Sequence, residues 1–181
     1  MGVKGTAIHD KLRYELSVYH FGVKDAIVRQ NNMAGVEYFV NAGSTRQAGA
    51  EFQFDYVARF SHAHQLQLQA GYAYQPYRFL QYKQAGVVYN GNALTGNAKH
   101  QIASSITYDY KKVLSIFMKL QSLSRVPLTD ANDVFASSYQ LVQSGISINH
   151  KRIRYFISVD NLLNKSYSLG NDINAAGRRY Y

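Results

Sequence analysis

Between Gly49 and Tyr74 the chain alternates, residue by residue, between oily and polar side chains. In the first arm Ala50, Phe52, Phe54, Tyr56 and Ala58 share one parity, and Glu51, Gln53 and Asp55 share the other. A polar break at Ser61-His62-Ala63-His64 follows, after which Leu66, Leu68, Ala70, Tyr72 and Tyr74 alternate with Gln65, Gln67, Gln69, Gly71 and Ala73. Successive side chains on a strand point to opposite faces, so each arm has one oily and one polar face. A helix needs apolar residues three and four apart, and that spacing is absent. The stretch predicts an antiparallel hairpin.

The rest of the chain repeats the plan. A short strand over residues 2–8 meets a polar turn at His9-Asp10-Lys11, and a second strand runs over residues 12–28. There Leu12, Tyr14, Leu16 and Val18 hold one parity while Tyr19, Phe21 and Val23 hold the other, which predicts a bulge near His20. A loop over residues 29–35 leads into a long extended run over residues 36–60. After the hairpin comes the longest irregular region, residues 75–98, with Pro76, Gly86, Gly91 and Gly96. Ile102, Ile106, Tyr108 and Tyr110 mark the next strand, a tight turn ends at Lys112, and Leu114, Ile116, Met118 and Leu120 mark the one after. Residues 124–136 form another loop. Val142, Ser144, Ile146 and Ile148 form a further strand, with Tyr139 and Leu141 on the opposite parity, as a bulge or a later start would give. A turn at Asn149-His150-Lys151 precedes Ile153, Tyr155, Ile157 and Val159; residues 161–176 are irregular, and a last strand begins at Gly177.

The connections carry the most information. Short turns near Asp10, His62, Lys111 and His150 alternate strictly with long loops near Asn32, Gly86, Asp130 and Gly170. In an up-and-down sheet all short turns then lie at one end and all long loops at the other, the asymmetry of bacterial outer-membrane barrels. Aromatic residues gather toward both ends: Tyr56, Phe60, Tyr108, Tyr110 and Tyr155 by the short turns, and Tyr19, Phe21, Tyr72 and Tyr74 by the loops. Two such bands fit interfacial girdles. The expected fold is all-β: a segment of an antiparallel up-and-down transmembrane β-barrel, with about eight strands and the start of a ninth. The alternative is a soluble β-barrel or sandwich whose oily face is a core, since alternation alone does not say which side meets oil.

Composition excludes several classes. No apolar run approaches the ~20 residues of a transmembrane helix, and no apolar signal segment follows Met1. With no cysteine there is no disulfide or thiolate chemistry. The formal charge of +9 admits an anionic partner, but the basic residues scatter. Their densest groups are Lys111-Lys112, Lys151-Arg152-Arg154 and Arg178-Arg179, two of them at turns, and no nucleic-acid stripe is expected.

No catalytic constellation emerges, and no enzyme, cofactor or metal is expected. Gly91 and Gly96 have the spacing of a phosphate loop, but Asn97 and Ala98 stand where lysine and serine or threonine are needed. No G-x-S-x-G elbow is present. His62 and His64 lack a third ligand in sequence and read as a solvated turn. Asp130 and Asp133 lack calcium-loop spacing and read as loop polarity.

Several local patterns resemble one family, the TonB-dependent outer-membrane receptors. Gly2-Val3-Lys4-Gly5 is similar to that family's G-x-K-G strand opening, and Asn41-Ala42-Gly43 with Gly49-Ala50-Glu51 to its N-x-G spacer and G-x-E start. Tyr72-Ala73-Tyr74 matches its Y-x-Y strand end. Gly91-Asn92 and Lys99-His100 resemble its G-N-x-x-P region, with Ala98 where proline is common. Val159-Asp160-Asn161-Leu162-Leu163-Asn164-Lys165-Ser166-Tyr167 is similar to its V-x-N-L-F-(D/N)-K-x-Y block near the C-terminus, and Gly177-Arg178 to the opening of its last strand.

The resemblance implies that residues 1–181 are the C-terminal portion of such a barrel, without plug domain or TonB box. It implies energy-coupled uptake of a scarce nutrient, foremost an iron–siderophore complex, across the outer membrane of a Gram-negative bacterium. The implied partners are outer-membrane lipid, the plug domain and TonB complex of the intact protein, and the ferric siderophore, with no nucleic acid. Aromatic and basic side chains in the long loop, Tyr77, Arg78, Tyr82, Lys83 and Tyr89, suit contact with an anionic, aromatic chelate. Two alternatives stand beside this reading: a complete small outer-membrane barrel with a structural or adhesive role, and a soluble β-sheet module binding carbohydrate or nucleic acid.

Overall fold

The computed structural model describes residues 1–25, 27–31, 36–41, 43–84, 86–168 and 175–181. Its backbone is one long antiparallel meander. In chain order the strands are β1 (Gly2–Ala7), β2 (Leu12–Lys24), β3 (Ile27–Asn31), β4 (Glu37–Asn41), β5 (Ser44–Arg59), β6 (His64–Tyr74), β7 (Arg78–Gln81) and β8 (Lys83–Gln84). They continue with β9 (Val87–Val88), β10 (His100–Tyr110), β11 (Leu114–Leu123), β12 (Val126–Pro127), β13 (Phe135–Ala136), β14 (Tyr139–His150), β15 (Ile153–Asp160) and β16 (Arg179–Tyr180).

The main sheet runs β1-β2-β5-β6-β10-β11-β14-β15-β16, with β7 paired onto β5. The first eight of these are the eight strands expected from sequence, and β16 is the start of the ninth. The sheet is open: β1 and β16 are its two edges. This order does not form the small closed barrel that was one alternative. Three small hairpins, β3-β4, β8-β9 and β12-β13, stand off the main sheet, and all three fall in the long connections.

Register explains which residues share a face. One cross-strand row is Leu12, Tyr56, Leu68, Ile106 and Met118; the next toward the turns is Ala58, Leu66, Tyr108, Ile116, Ile146 and Ile157. The opposite face carries Arg13, Asp55, Gln69, Ser105, Lys119 and Gln143 in a single row. The oily face stays open. Leu16, Val18, Ile106, Met118 and Ile157 are exposed, Ile157 to 64%. No described side chain is fully buried, and the hydrophobic cluster that does form lies in the long loops, around Phe79 and Tyr82. A soluble sandwich would instead bury one face of each sheet against the other. A continuous exposed apolar face of this extent belongs against lipid or a partner.

The band has the right height. From His100 to Tyr110 the strand has 11 residues, and ~3.4 Å per residue tilted by ~35–45° gives roughly 24–28 Å, against ~25 Å for the apolar band of outer-membrane barrels. The outward aromatic and imidazole groups bracket it. Tyr72 and His100 bond at 2.8 Å at the loop end, and His64 and Tyr108 at 2.6 Å at the turn end.

Three sequence expectations need correction. β2 pairs with β5 without interruption from Leu12↔Tyr56 to Lys24↔Ser44, so there is no bulge at His20. Tyr19 and Phe21 therefore lie on the polar parity and not in the outward girdle. The reason is tertiary: Tyr19 lies across its partner Gly49, where a Cβ would sit 2.6 Å from the phenol oxygen, and packs against Tyr77 of the folded loop. Likewise β14 runs unbroken from Tyr139, which turns inward to pack on Tyr167 at 4.8 Å. Finally, the loop expected over residues 29–35 and the single run over residues 36–60 give way to β3, β4 and β5; residues 32–35 of that loop lie outside the described residues.

Candidate functional site: the folded long-loop layer and the polar face

All four long connections leave from one end of the meander, and the second of them is folded rather than irregular. β7 hydrogen-bonds to β5, and the Phe79 and Tyr82 rings stack at 4.5 Å with Tyr89 and Leu94 against them. This gives the loop an apolar centre of its own. The third connection locks onto it. The Tyr82 hydroxyl donates to one oxygen of Asp130 at 2.9 Å, and the Thr95 hydroxyl donates to the other. Asn92 donates to the Asp130 carbonyl at 2.8 Å, while Asn132 and the backbone of Ala93 bond each other reciprocally at 2.7 and 3.0 Å. Asp130 is thus a staple between two loops, and no group of three or more metal-ligating side chains occurs among the described residues.

The five residues singled out from sequence all lie in this layer, in different settings. Arg78 is exposed and its guanidinium donates to the Gly91 carbonyl at 2.6 Å. Lys83 is exposed on β8. Tyr77 is half-buried, bonded to Tyr19 through the two hydroxyls at 2.6 Å. Burial, then the Tyr19 hydroxyl, then the Glu51 carboxylate hold the Tyr77 phenol above its ordinary range. Tyr89 is half-buried beside Tyr82. Tyr82 itself is 3% exposed and acts as a pillar of the loop. Sequence reasoning met Asn92 only as part of the Gly91-Asn92 pattern, without this bonding role, and missed Thr95 and Asn132, whose only signal was a loop rich in turn-forming residues.

Below the loops the polar face forms a concave trough of about 880 Å³ lined by Gln53, Asp55, Gln69, Ser105, Lys119 and Arg179 among others. Ser105 donates to Gln69 at 3.2 Å and Gln69 to Asp55 at 2.6 Å, one chain across three strands. Asp160 lines the same trough, and its Oδ1 is buried with no hydrogen-bond partner among the described residues. A buried carboxylate oxygen without a donor is costly.

The block at residues 159–167 turns the chain from β15 toward β16. Asn161, 7% exposed, accepts from the Lys165 amide at 2.9 Å and donates to the Lys165 carbonyl at 2.8 Å. Asn164 accepts from the Arg178 amide at 3.2 Å. Both asparagines have positive φ, 50° each, which asparagine tolerates better than most residues.

An antiparallel meander with an oily convex face, a polar trough and all long loops at one end defines part of a transmembrane β-barrel. A family model described as TonB dependent receptor-like, beta-barrel, matches residues 2–162, and the chain belongs to this family, whose members are receptors and transporters rather than enzymes. The fold is similar to the siderophore receptor PiuA from Acinetobacter baumannii, with a TM-score of 0.78, 18% identity, and 98% of this chain covered against 26% of that one. It is similar to BauA, the ferric preacinetobactin receptor from Acinetobacter baumannii, with a TM-score of 0.74, 19% identity, and coverage of 99% and 27%. The copper transporter OprC gives a TM-score of 0.71 at 17% identity, with coverage of 99% and 29%. The chain therefore spans little more than a quarter of the length of these solved structures.

Proposed function

We propose that this chain is the C-terminal portion of the barrel of an outer-membrane receptor that imports a scarce nutrient by coupling to the TonB complex. The observation that carries the reading is the two-faced meander: an exposed apolar band of bilayer height on one side, a polar trough on the other, and every long loop at one end. On this reading the polar trough faces the plug domain in the intact protein. The cargo we assign is an iron–siderophore complex, held from the outside by Arg78 and Lys83 with Tyr77 and Tyr89. The support is chemical: two exposed cations beside aromatic rings suit an anionic aromatic chelate. Tyr82 is placed to hold these residues up rather than to touch cargo.

The test is uptake of radiolabelled ferric siderophore by cells carrying the intact gene, a deletion, or the R78Q/K83Q variant. The reading expects uptake that a protonophore abolishes and the deletion removes. It expects about a ten-fold rise in half-saturation for the double variant, the loss of roughly 1.4 kcal/mol. Equal uptake by the deletion strain across a panel of catecholate and hydroxamate chelates would overturn the assignment.

A further inference from the structure

The fold turns a scattered charge distribution into a band. Because the sheet order is β1-β2-β5-β6-β10-β11-β14-β15, the four short turns follow one another along one edge. Each carries basic side chains. The β1–β2 turn and its flank hold Lys11 and Arg13, and Arg59 precedes the β5–β6 turn. The β10–β11 turn is Lys111 and Lys112, and the β14–β15 turn is Lys151 and Arg152, with Arg154 just beyond. Together these are eight of the 20 lysines and arginines of the chain. The carboxylates at this edge are Asp10, which accepts from Thr6 at 2.9 Å, Asp109, and Asp55, the cross-strand neighbour of Arg13 on the polar face.

Backbone bonds join the turns into a continuous rim. Lys111 donates its amide to Ala63 of the neighbouring turn at 2.7 Å. Asn149 donates to the Val113 carbonyl at 2.7 Å and, through its side chain, to the Lys112 carbonyl at 2.9 Å. Turns two strands apart are ~10 Å apart, against a Debye length of ~8 Å at physiological salt and ~30 Å at ~0.01 M. Their fields therefore overlap into one positive strip at low salt and are screened from one another as salt rises.

Two further features give the strip its depth and its purpose. Lys111 lies over the outward Tyr110 ring at 5.3 Å, and Ile153, Tyr155 and Phe60 nearby are 56%, 57% and 70% exposed. The cations thus begin where the apolar face ends, at head-group level. Lys111, Lys112 and Lys151 also occupy left-handed backbone, with φ of 48°, 57° and 56°. Asparagine or glycine would sit there more easily, and the β1–β2 turn shares the same geometry through Ile8, His9 and Asp10.

We propose that this short-turn rim docks anionic phospholipid head groups, the phosphodiesters of the leaflet it faces, through Lys111, Lys112, Lys151 and Arg152. The proposal rests on the transmembrane reading above and adds a lipid class to it. The test uses the intact receptor in phosphatidylcholine bilayers and compares spin-labelled phosphatidylglycerol with spin-labelled phosphatidylcholine as the immobilised boundary lipid. Phosphatidylglycerol should be favoured roughly five-fold at low salt, and that preference should fall to near one at 1 M salt, where the Debye length is ~3 Å. The K111Q/K112Q/K151Q/R152Q variant should lose most of the preference, and K24Q/K165Q at the long-loop end should keep it. Equal immobilisation of both lipids by the unsubstituted receptor overturns the proposal while leaving the transmembrane reading intact. A preference that survives 1 M salt, or survives the four substitutions, overturns it too. A receptor that immobilises neither lipid overturns both.

Discussion

Replacing Asp130 with alanine should release one long loop from another. The carboxylate accepts the Tyr82 and Thr95 hydroxyls, from a residue 3% exposed and from the loop that carries Arg78 and Lys83. Hydrogen bonds to a charged group contribute about 1.5–3 kcal/mol each. Asp130 is half-buried, so water competes for it and the lower figure applies; two such bonds give ~3 kcal/mol of local stability. Loop opening that precedes proteolysis tracks the open population when closing is fast. Tryptic cleavage after Arg78 and Lys83 should then accelerate roughly 100-fold in the D130A receptor, and about 10-fold in Y82F, which removes one of the two bonds. D133A supplies the control, because that carboxylate takes the Thr129 hydroxyl within its own loop. Cleavage of D130A at the unsubstituted rate, or equal acceleration by D133A, would refute the stapling argument.

Two further outcomes follow from the same structure. A methyl group at Gly145 would stand 2.6 Å from the Phe117 ring and 2.9 Å from the Ile157 carbonyl. G145A should therefore cost about 1–3 kcal/mol, read as a lower temperature for the heat-induced gel shift, and F117L should recover part of the loss. The Tyr77 phenol is raised in the folded state, so the stability it lends the loop is fully present below its ordinary value of 10.0 and is lost as pH rises above it. Tryptic release of the loop should accelerate above pH 10 in the unsubstituted receptor, and the pH-dependent part should vanish in Y77F.

Much of this architecture was legible in the sequence because strand alternation and turn length are local signals. The hairpin at residues 49–74 pairs as the alternation requires, Ala50 with Tyr74 and Arg59 with Gln65. Alternation failed where tertiary contacts reach the strand ends. Tyr19 and Tyr139 break the oily pattern because each packs inward against a loop tyrosine, a partner far away in sequence. The loop layer was the least legible part. β7 is a four-residue strand beside a proline, and its pairing with β5 depends on register rather than composition. For the same reason Tyr82 read as a surface aromatic although it is buried. The basic residues looked scattered along the chain, and only the strand order shows that eight of the 20 share one edge.

The central claim is that the even positions of β10 face lipid and the odd positions face the trough. The chain contains no cysteine, so single cysteines at positions 101 through 108 of the intact receptor, introduced after removal of any cysteine elsewhere, can each carry a nitroxide. In bilayers, labels at Ile102, Ser104, Ile106 and Tyr108 should collide preferentially with molecular oxygen, which concentrates in the hydrocarbon. Labels at Gln101, Ala103, Ser105 and Thr107 should show lower oxygen and relatively higher collision with a water-soluble nickel chelate. A period of two in the ratio of the two collision rates, with oxygen dominant at the even positions, is the predicted result. A flat profile, or nickel dominance at Ile102 and Ile106, would contradict the account.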